Sequence, residues 1–317
     1  MKLSVGLKTE TELAYLMKKI LYIMIGMPSC YNSGFALATR LQNSGLEVEI
    51  ACNKNIIELM SGTGIPFHYL KEDRVFQDGL SIEIGDQSFT RYSVRHPIKF
   101  LRLCRKYRKL SLQAFELNNL IQTTLPDALL IDIECHYAIV ATKKYKLPGY
   151  LVSRWFTTQK SISTPPLHSP RSSSNTFIGI FRTQWEWVKL AAFRYRKEFK
   201  DHFSKYRLLP VGYRTISRAN LKQLARAQGV ELKDFTERSQ WLLPHGYSHY
   251  PVMSLNAKEM ELDNVNTSNT QYFGPMVSQW NSSFVTPEVV RTELERYLDT
   301  IRTVSYTHLT LPTILLV

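Results

Sequence analysis

Apolar residues recur along the chain in two ways, as short unbroken runs and as stripes at helical spacing. Ile20 to Ile25 is unbroken, the pattern of a strand buried on both faces in a parallel sheet. The run stops at Gly26. Gly26 to Ser33 carries the small and polar residues of a loop, and Ser33 is placed to cap a helix whose stripe is Phe35, Ala38 and Leu41. Gly45 is a helix stop, and Glu47 to Ala51 turns Val48 and Ile50 to one side. The unit reads β-loop-α-β with a right-handed crossover. Sites on such sheets lie at the carboxyl ends of the strands, here the Gly26 to Ser33 loop.

The same alternation continues. Ile56 to Met60 reads as a short helix, Gly64 to Leu70 as a short strand, and Lys71 to Thr90 as loop or edge hairpin. Phe100, Leu103, Cys104, Tyr107, Leu110, Ala114, Leu117 and Ile121 recur at helical spacing and predict one long amphipathic helix. Ala128 to Ile131 is a second buried strand, ending on Asp132. A helix at about His136 to Lys144 leads through Leu147-Pro148-Gly149 to a third strand, Tyr150 to Ser153. Ser161 to Ser174, rich in Ser and Pro, reads as a long mobile loop. A second amphipathic helix follows at Phe181 to Tyr206. Its stripe is Phe181, Trp185, Val188, Ala192, Tyr195 and Phe199, widened by Trp187, Leu190 and Phe193. Ser217 to Gln228 is helical and closed by Gly229. Trp241 to Leu243, Pro251 to Leu255 and Gln271 to Phe273 are short strands, the last broken by Gly274-Pro275.

Composition narrows the class. The 317 residues, 44% hydrophobic and 12% aromatic, are ample for one large or two modest cores. No apolar stretch approaches the roughly 20 residues of a membrane span, and Met1 to Lys18 lacks an apolar signal core, so a cytoplasmic protein is expected. Cys30, Cys52, Cys104 and Cys135 show no C-x-x-C spacing, which indicates neither a zinc site nor a disulfide framework. The charge of +13 is clustered: Arg91 to Lys109 holds eight Lys and Arg residues and no acid, and Arg182, Lys189, Arg196, Lys197 and Lys200 line the second amphipathic helix. One reading is attraction to an anionic membrane surface or an acidic acceptor; the other is a solvated face over an ordinary core. No helix-turn-helix, zinc-finger or RNA-recognition signature supports nucleic-acid binding. Nor is there a Walker or dinucleotide phosphate loop, since Gly26 and Gly34 alone make a weak one.

Three stretches together carry a resemblance: the opening unit, PDALLIDIECHYAIVATKKYKLPGYLVS at Pro126 to Ser153, and QYFGPMV at Gln271 to Val277. They resemble, in order and spacing, the N-terminal half of a GT-B glycosyltransferase of the UDP-glycosyltransferase-like superfamily. The resemblance covers roughly Ile20 to Arg302. It implies an α/β, Rossmann-like parallel sheet with flanking helices, forming the acceptor-binding domain over residues 20–275. A leader (1–19) would precede it and an interdomain linker helix (276–302) would follow. It further implies sugar transfer from a nucleotide-diphosphate donor, UDP by expectation, to a small-molecule or lipid acceptor.

In that family a first-loop His acts as base toward the acceptor hydroxyl and the Asp ending the middle strand orients it, a pairing that suits general base catalysis. Aligning Ala36-Leu37-Ala38 with the family helix puts Cys30 at the His position and Asp132 at the Asp position. The base then falls to Asp132, Glu134 or His136, the carboxylates by a burial-raised pKa and the imidazole by turning into the same cleft; otherwise the alignment is shifted or the protein no longer catalyses transfer. Asp132, Glu134 and His136 also resemble a metal-ligand set, though this i, i+2, i+4 spacing arises easily by coincidence and no metal is expected. The plain alternative is a strand-end Asp capping the next helix and a surface His. Acceptor contacts are expected from Met27, Pro28, Ser29, Cys30, Tyr31, Asn32 and Ser33. His245 and His249 sit in a Pro- and Gly-rich stretch that argues against a helix.

Val304 to Thr313 reads VSYTHLTLPT, which resembles a translated sequencing adapter, so residues 303–317 are expected to be a non-native tail. On that reading the C-terminal donor domain of the GT-B fold is missing. The nucleotide-sugar donor belongs to the full-length protein, no cofactor is expected on this fragment, and half a cleft is expected to be inactive. The competing expectation is a non-catalytic α/β binding protein that docks on anionic membrane through its basic amphipathic helices.

Overall fold

Strand β1 (Lys19–Met24) is buried from Ile20 onward because both faces of its sheet are covered. Its side chains alternate between two cores. Leu21 and Ile23 join one, while Ile20, Tyr22 and Met24 join the other. The computed structural model describes residues 18–53, 55–60, 62–70, 92, 94–156, 160–203, 218–237, 246–248, 250–261 and 269–276. Among them β1, β2 (Glu47–Cys52), β3 (Phe67–Tyr69), β4 (Ala128–Asp132), β5 (Gly149–Ser153), β8 (Val252–Ser254) and β9 (Thr270–Tyr272) form one parallel sheet. Its order is β3-β2-β1-β4-β5-β8-β9, and β6 (Thr236–Glu237) and β7 (Gly246–Tyr247) form a separate antiparallel pair. The fold is thus a Rossmann-like α/β sheet with flanking helices. Its strand order reverses between β1 and β4, where such sheets open a crevice at their carboxyl ends.

Helix α1 (Pro28–Asn43) covers the Tyr22 face through Phe35, Ala36, Leu37 and Ala38. It begins at Pro28, so the expected loop to Ser33 is corrected: Pro28–Ser33 are helical, and only Ile25 to Met27 connect β1 to α1. Proline suits the first helical position because its φ is already helical and its missing N–H would be unpaired there anyway. Gly34 sets how closely α1 approaches the sheet, since a Cβ there would lie 2.5 Å from Met24 Sδ. After β2 come α2 (Ile57–Met60) and β3.

The single long helix expected around Phe100 to Ile121 is instead two, α3 (Pro97–Gln113) and α4 (Phe115–Thr124). Ala114 between them takes a left-handed φ of 47°, which costs an alanine about 1 kcal/mol. The break lets α4 turn Leu117, Leu120 and Ile121 into the Leu21 core, and Asn118 Nδ2 donates to the Gln113 carbonyl across it. Helix α5 (His136–Thr142) is buried throughout in that core. Helix α7 (Arg218–Ala227) packs on α5 and also touches α3 and α6 (Phe177–Phe203).

Residues 161–174 form a loop, as expected, and its first residues are bonded to the helix, with Trp187 Nε1 donating to the Thr164 carbonyl, Thr183 Oγ1 to that of Ser163 and Gln184 Nε2 to that of Ile162. The stripe Phe181, Trp185, Val188, Ala192, Tyr195 and Phe199 does not face the core. It is exposed, and the buried side is Thr183, Glu186, Trp187, Leu190 and Arg194. Glu186 is tolerated there because it accepts from Arg171 and Lys189. All four cysteines are buried and reduced. No helix among the described residues is long and apolar enough to cross a membrane. Met1 to Met17, the expected hairpin at 71–90, the Trp241 to Leu243 strand, His245, His249, most of the 276–302 linker and the 303–317 tail lie outside the described residues.

Gly34→Val should overpack the α1 contact with Met24 and Tyr22, lowering stability by about 1–3 kcal/mol in urea unfolding. An unchanged midpoint would mean α1 does not need this close approach.

Candidate functional site

The carboxyl ends of β1, β4 and β5 converge on one carboxylate. Asp132 closes β4, only 1% exposed, on the Tyr22 face of the sheet. Its Oδ1 accepts from the Tyr22 hydroxyl at 2.8 Å and from Arg154 Nη1 at 2.9 Å, and its Oδ2 accepts from the Ile25 amide at 2.8 Å. Arg154 follows β5 directly. It also donates to the Tyr22 hydroxyl (2.8 Å), to Ser33 Oγ (2.5 Å) and to the Cys30 carbonyl (3.2 Å), joining α1 to the cluster. Burial opposes the charge on Arg154, yet Asp132 with Tyr22 and Cys30 holds its pKa above the ordinary value. Burial likewise pushes the Tyr22 phenol well up, so Tyr22 stays neutral and donates.

The first loop is therefore fixed by its backbone. Besides the Ile25 contact, the Gly26 amide donates to Asn53 Oδ1 at 2.8 Å and the Met27 amide to the Ile25 carbonyl at 2.8 Å. Of the expected acceptor residues, Cys30 is buried in the first turn of α1 and Ser33 is turned to Arg154. Met27 packs against the Leu21 core, and Tyr31 stacks on Phe35 with ring centroids 6.1 Å apart. Burial pushes the Tyr31 pKa to about 12. Asn32 is half-buried, and the side chains of Pro28 and Ser29 lie outside the described residues.

Asp132, Glu134 and His136 diverge. Glu134 is half-buried, and its Oε1 accepts from Trp155 Nε1 at 2.7 Å. His136 is 1% exposed rather than turned into a common cleft: it opens α5, and its Nδ1 lies 2.6 Å from the Tyr247 hydroxyl in an aromatic group with Phe235 and Tyr250. Burial lowers its pKa to about 4, so the ring is neutral. Among the described residues no three His, Cys, Asp or Glu side chains are grouped to hold a metal. Trp155, the partner of Glu134, also lines a small cleft, open to solvent, at the carboxyl ends of β5 and β8, with Ile133, Ser153, Phe156, Tyr247 and Ser254 in its walls.

The sequence reading missed Arg154 and Trp155. The available signal was a charged residue directly after a buried strand, in SRW, where only an equally buried acid could receive it.

No family model matches the chain, and no curated protein does. Several solved structures are similar to it. The glycotransferase of kitacinnamycin is 13% identical with a TM-score of 0.46, over 82% of this chain and 52% of that one. CalG4, the calicheamicin glycosyltransferase, is 11% identical with a TM-score of 0.41, over 81% and 52%. The spinosyn rhamnosyltransferase SpnG is 19% identical with a TM-score of 0.28, over 42% and 34%. The chain spans about half the length of the first two.

Removing one member of a buried ion pair strands the other, so Arg154→Met should cost about 3–5 kcal/mol, and Asp132→Asn with Arg154→Met less than the sum of the single changes. Strict additivity in urea unfolding would show that the two charges do not depend on each other. The His136 pKa, depressed below its ordinary 6.5, gives a second expectation. Folding favours the neutral ring, so its contribution is complete above pH 6.5 and is lost as pH falls toward 4, about 3 kcal/mol in all. The stability gap between wild type and His136→Gln should therefore shrink by that amount from pH 7 to pH 4; a constant gap would contradict a buried neutral imidazole.

Proposed function

We propose that this chain supplies the acceptor-binding side of a nucleotide-sugar glycosyltransferase, with Glu134 as the base toward the acceptor hydroxyl. The observation that carries the reading is the tie from Asp132 to the Ile25 amide, at the crevice where the strand order reverses. The resemblance assigns that strand-end Asp the role of orienting what the first loop carries. Asp132 itself is buried and engaged by three donors, and His136 lies beneath Tyr247. Glu134 is half-buried, and its carboxylate is aimed by Trp155, which lines a cleft with aromatic walls. A base must reach solvent-borne substrate and be held by a partner, and of the three candidates Glu134 meets both conditions. The donor is expected to be a UDP-sugar and the acceptor a hydroxylated small molecule or lipid. Donor binding is assigned to no described residue, and transfer by the isolated chain is expected to be undetectable.

One observation favours a second reading, a non-catalytic binding protein that docks on anionic membrane. The position aligned with the family base is Cys30, and it is buried. The two readings separate on ligand binding. On the first, hydroxylated aromatic aglycones bind in saturation-transfer NMR, Trp155→Ala weakens them at least tenfold, and millimolar UDP leaves the melting temperature unchanged. Failure of every aglycone, or a clear shift with UDP, would overturn the acceptor-side assignment. Any glycoside formed from a UDP-sugar would overturn the expected inactivity; in that assay Glu134→Gln should then cost about a hundredfold or more in kcat.

A further inference from the structure

We propose that the outer face of α6 docks on an anionic lipid surface. This rests on and deepens the second reading above, docking on anionic membrane, by assigning it to one helix face, and it stands on a different part of the molecule from the sugar-transfer reading. Helix α6 is apolar on two opposite sides. Trp187 and Leu190 face the domain, while Ile178, Phe181, Trp185, Val188, Tyr195 and Phe199 face away and are exposed, Phe181 at 69% and Tyr195 at 72%. These six, with Ala192, follow an alternating three-four spacing, so they form one straight stripe along the helix. Arg182, Lys189 and Arg196 recur every seventh residue along one flank of it, all exposed, Lys189 also reaching Glu186 at 3.0 Å. Helix α3 adds Lys99, Arg102, Lys106 and Lys109, exposed on a helix that packs against the same α7.

The occupant follows from charge and side-chain type. The spacing alone would also suit a coiled-coil seam formed with a second copy. In an antiparallel self-pair, however, the Arg182, Lys189, Arg196 row would meet itself. In a parallel one it would face Phe177, Gln184, Ala191 and Glu198, which offer a single acid. Phe, Trp and Tyr also fill the stripe where a seam favours Leu, Ile and Val. A lipid surface satisfies both requirements at once: anionic headgroups meet the basic row, and the boundary with the acyl chains accepts amphipathic rings. The helix would lie in the plane of that boundary.

Flotation of the full 317-residue chain tests this, using phosphatidylcholine vesicles with and without about one-third phosphatidylglycerol. Binding is expected on the anionic vesicles only, and should be lost between about 0.05 M and about 0.5 M salt. Arg182→Gln/Lys189→Gln/Arg196→Gln should weaken it about a hundredfold, at roughly tenfold per charge or somewhat less. Phe181→Ser/Trp185→Ser should weaken it at least tenfold with the charge unchanged. Both variants should keep the wild-type melting temperature, because the replaced side chains are exposed; the salt dependence of the wild type needs no variant at all. The proposal falls if anionic vesicles are not bound, or if both variants bind as the wild type does. It also falls if the wild type is a dimer that Phe181→Ser/Trp185→Ser converts to a monomer, since the occupant is then a second copy. No outcome of this experiment bears on sugar transfer, which it does not involve.

Discussion

A carboxylate taken out of water has to be compensated on the spot, and the carboxyl end of this sheet is arranged around that requirement at Asp132. Its compensation comes from a buried phenol, a backbone amide and a guanidinium: β1 gives Tyr22, the residue that follows it gives Ile25 N–H, and the turn after β5 gives Arg154. Arg154 must in turn be satisfied, and α1 does this with Ser33 Oγ and the Cys30 carbonyl. The same contacts that neutralise the charge therefore fix the spacing of β1, β4, β5 and α1. Gly34 belongs to this arrangement: the missing Cβ leaves room for Tyr22 Oη and Arg154 Nη2, each 3.4 Å from where it would sit. Replacing such a cluster wholesale by apolar groups can be neutral, so it is better regarded as a device for geometry than as a source of stability.

What could be read beforehand follows from which interactions are local in sequence. The strands were legible because a run buried on both faces has no polar interruption, as in Ile20 to Ile25 and Ala128 to Ile131. The position of Asp132 was legible for the same reason, since it ends such a run. Arg154 was not, because its partner lies 22 residues away and becomes its neighbour only when β4 and β5 pair. The start of α1 was misread although its signal was present: Pro28 was available as a first helical residue, but Ser33 offered a competing cap. The break at Ala114 had no local signal at all. Alanine is the best helix former, and its left-handed conformation is imposed by the packing of α4. The divergence of Asp132, Glu134 and His136 was equally hidden, because spacing in sequence says little about direction once a strand has ended.

Helix α6 shows a different kind of failure. Periodicity finds an apolar stripe, but it does not say which of two stripes meets the core. Here the weaker one does, and its polar members are tolerated through specific partners: Thr183 donates to the Ser163 carbonyl, and Glu186 pairs with Arg171 and Lys189. The segment before the helix supplies Arg171 and main-chain carbonyls at Ser161 to Thr164 as partners, which its Ser- and Pro-rich composition does not announce. The more apolar stripe is left on the outside, which is costly for a helix in water unless something covers it.

The two carboxylates at the end of β4 differ in what surrounds them, and chemistry follows from that difference. Asp132 is buried and already engaged by the Tyr22 hydroxyl, the Ile25 amide and the Arg154 guanidinium. Glu134, two residues on, is half-buried and accepts from the indole of Trp155, which lines the cleft in front of β5 and β8. With the first loop pinned by its backbone and Cys30 turned inward, a hydroxyl to be activated would have to approach from the β5 side rather than over the loop. On the reading proposed above, the reacting position would lie further along the sheet, toward Trp155, while the strand-end Asp keeps its place. Such a shift separates orientation of the loop from proton transfer, two tasks that an aligned His and Asp would combine.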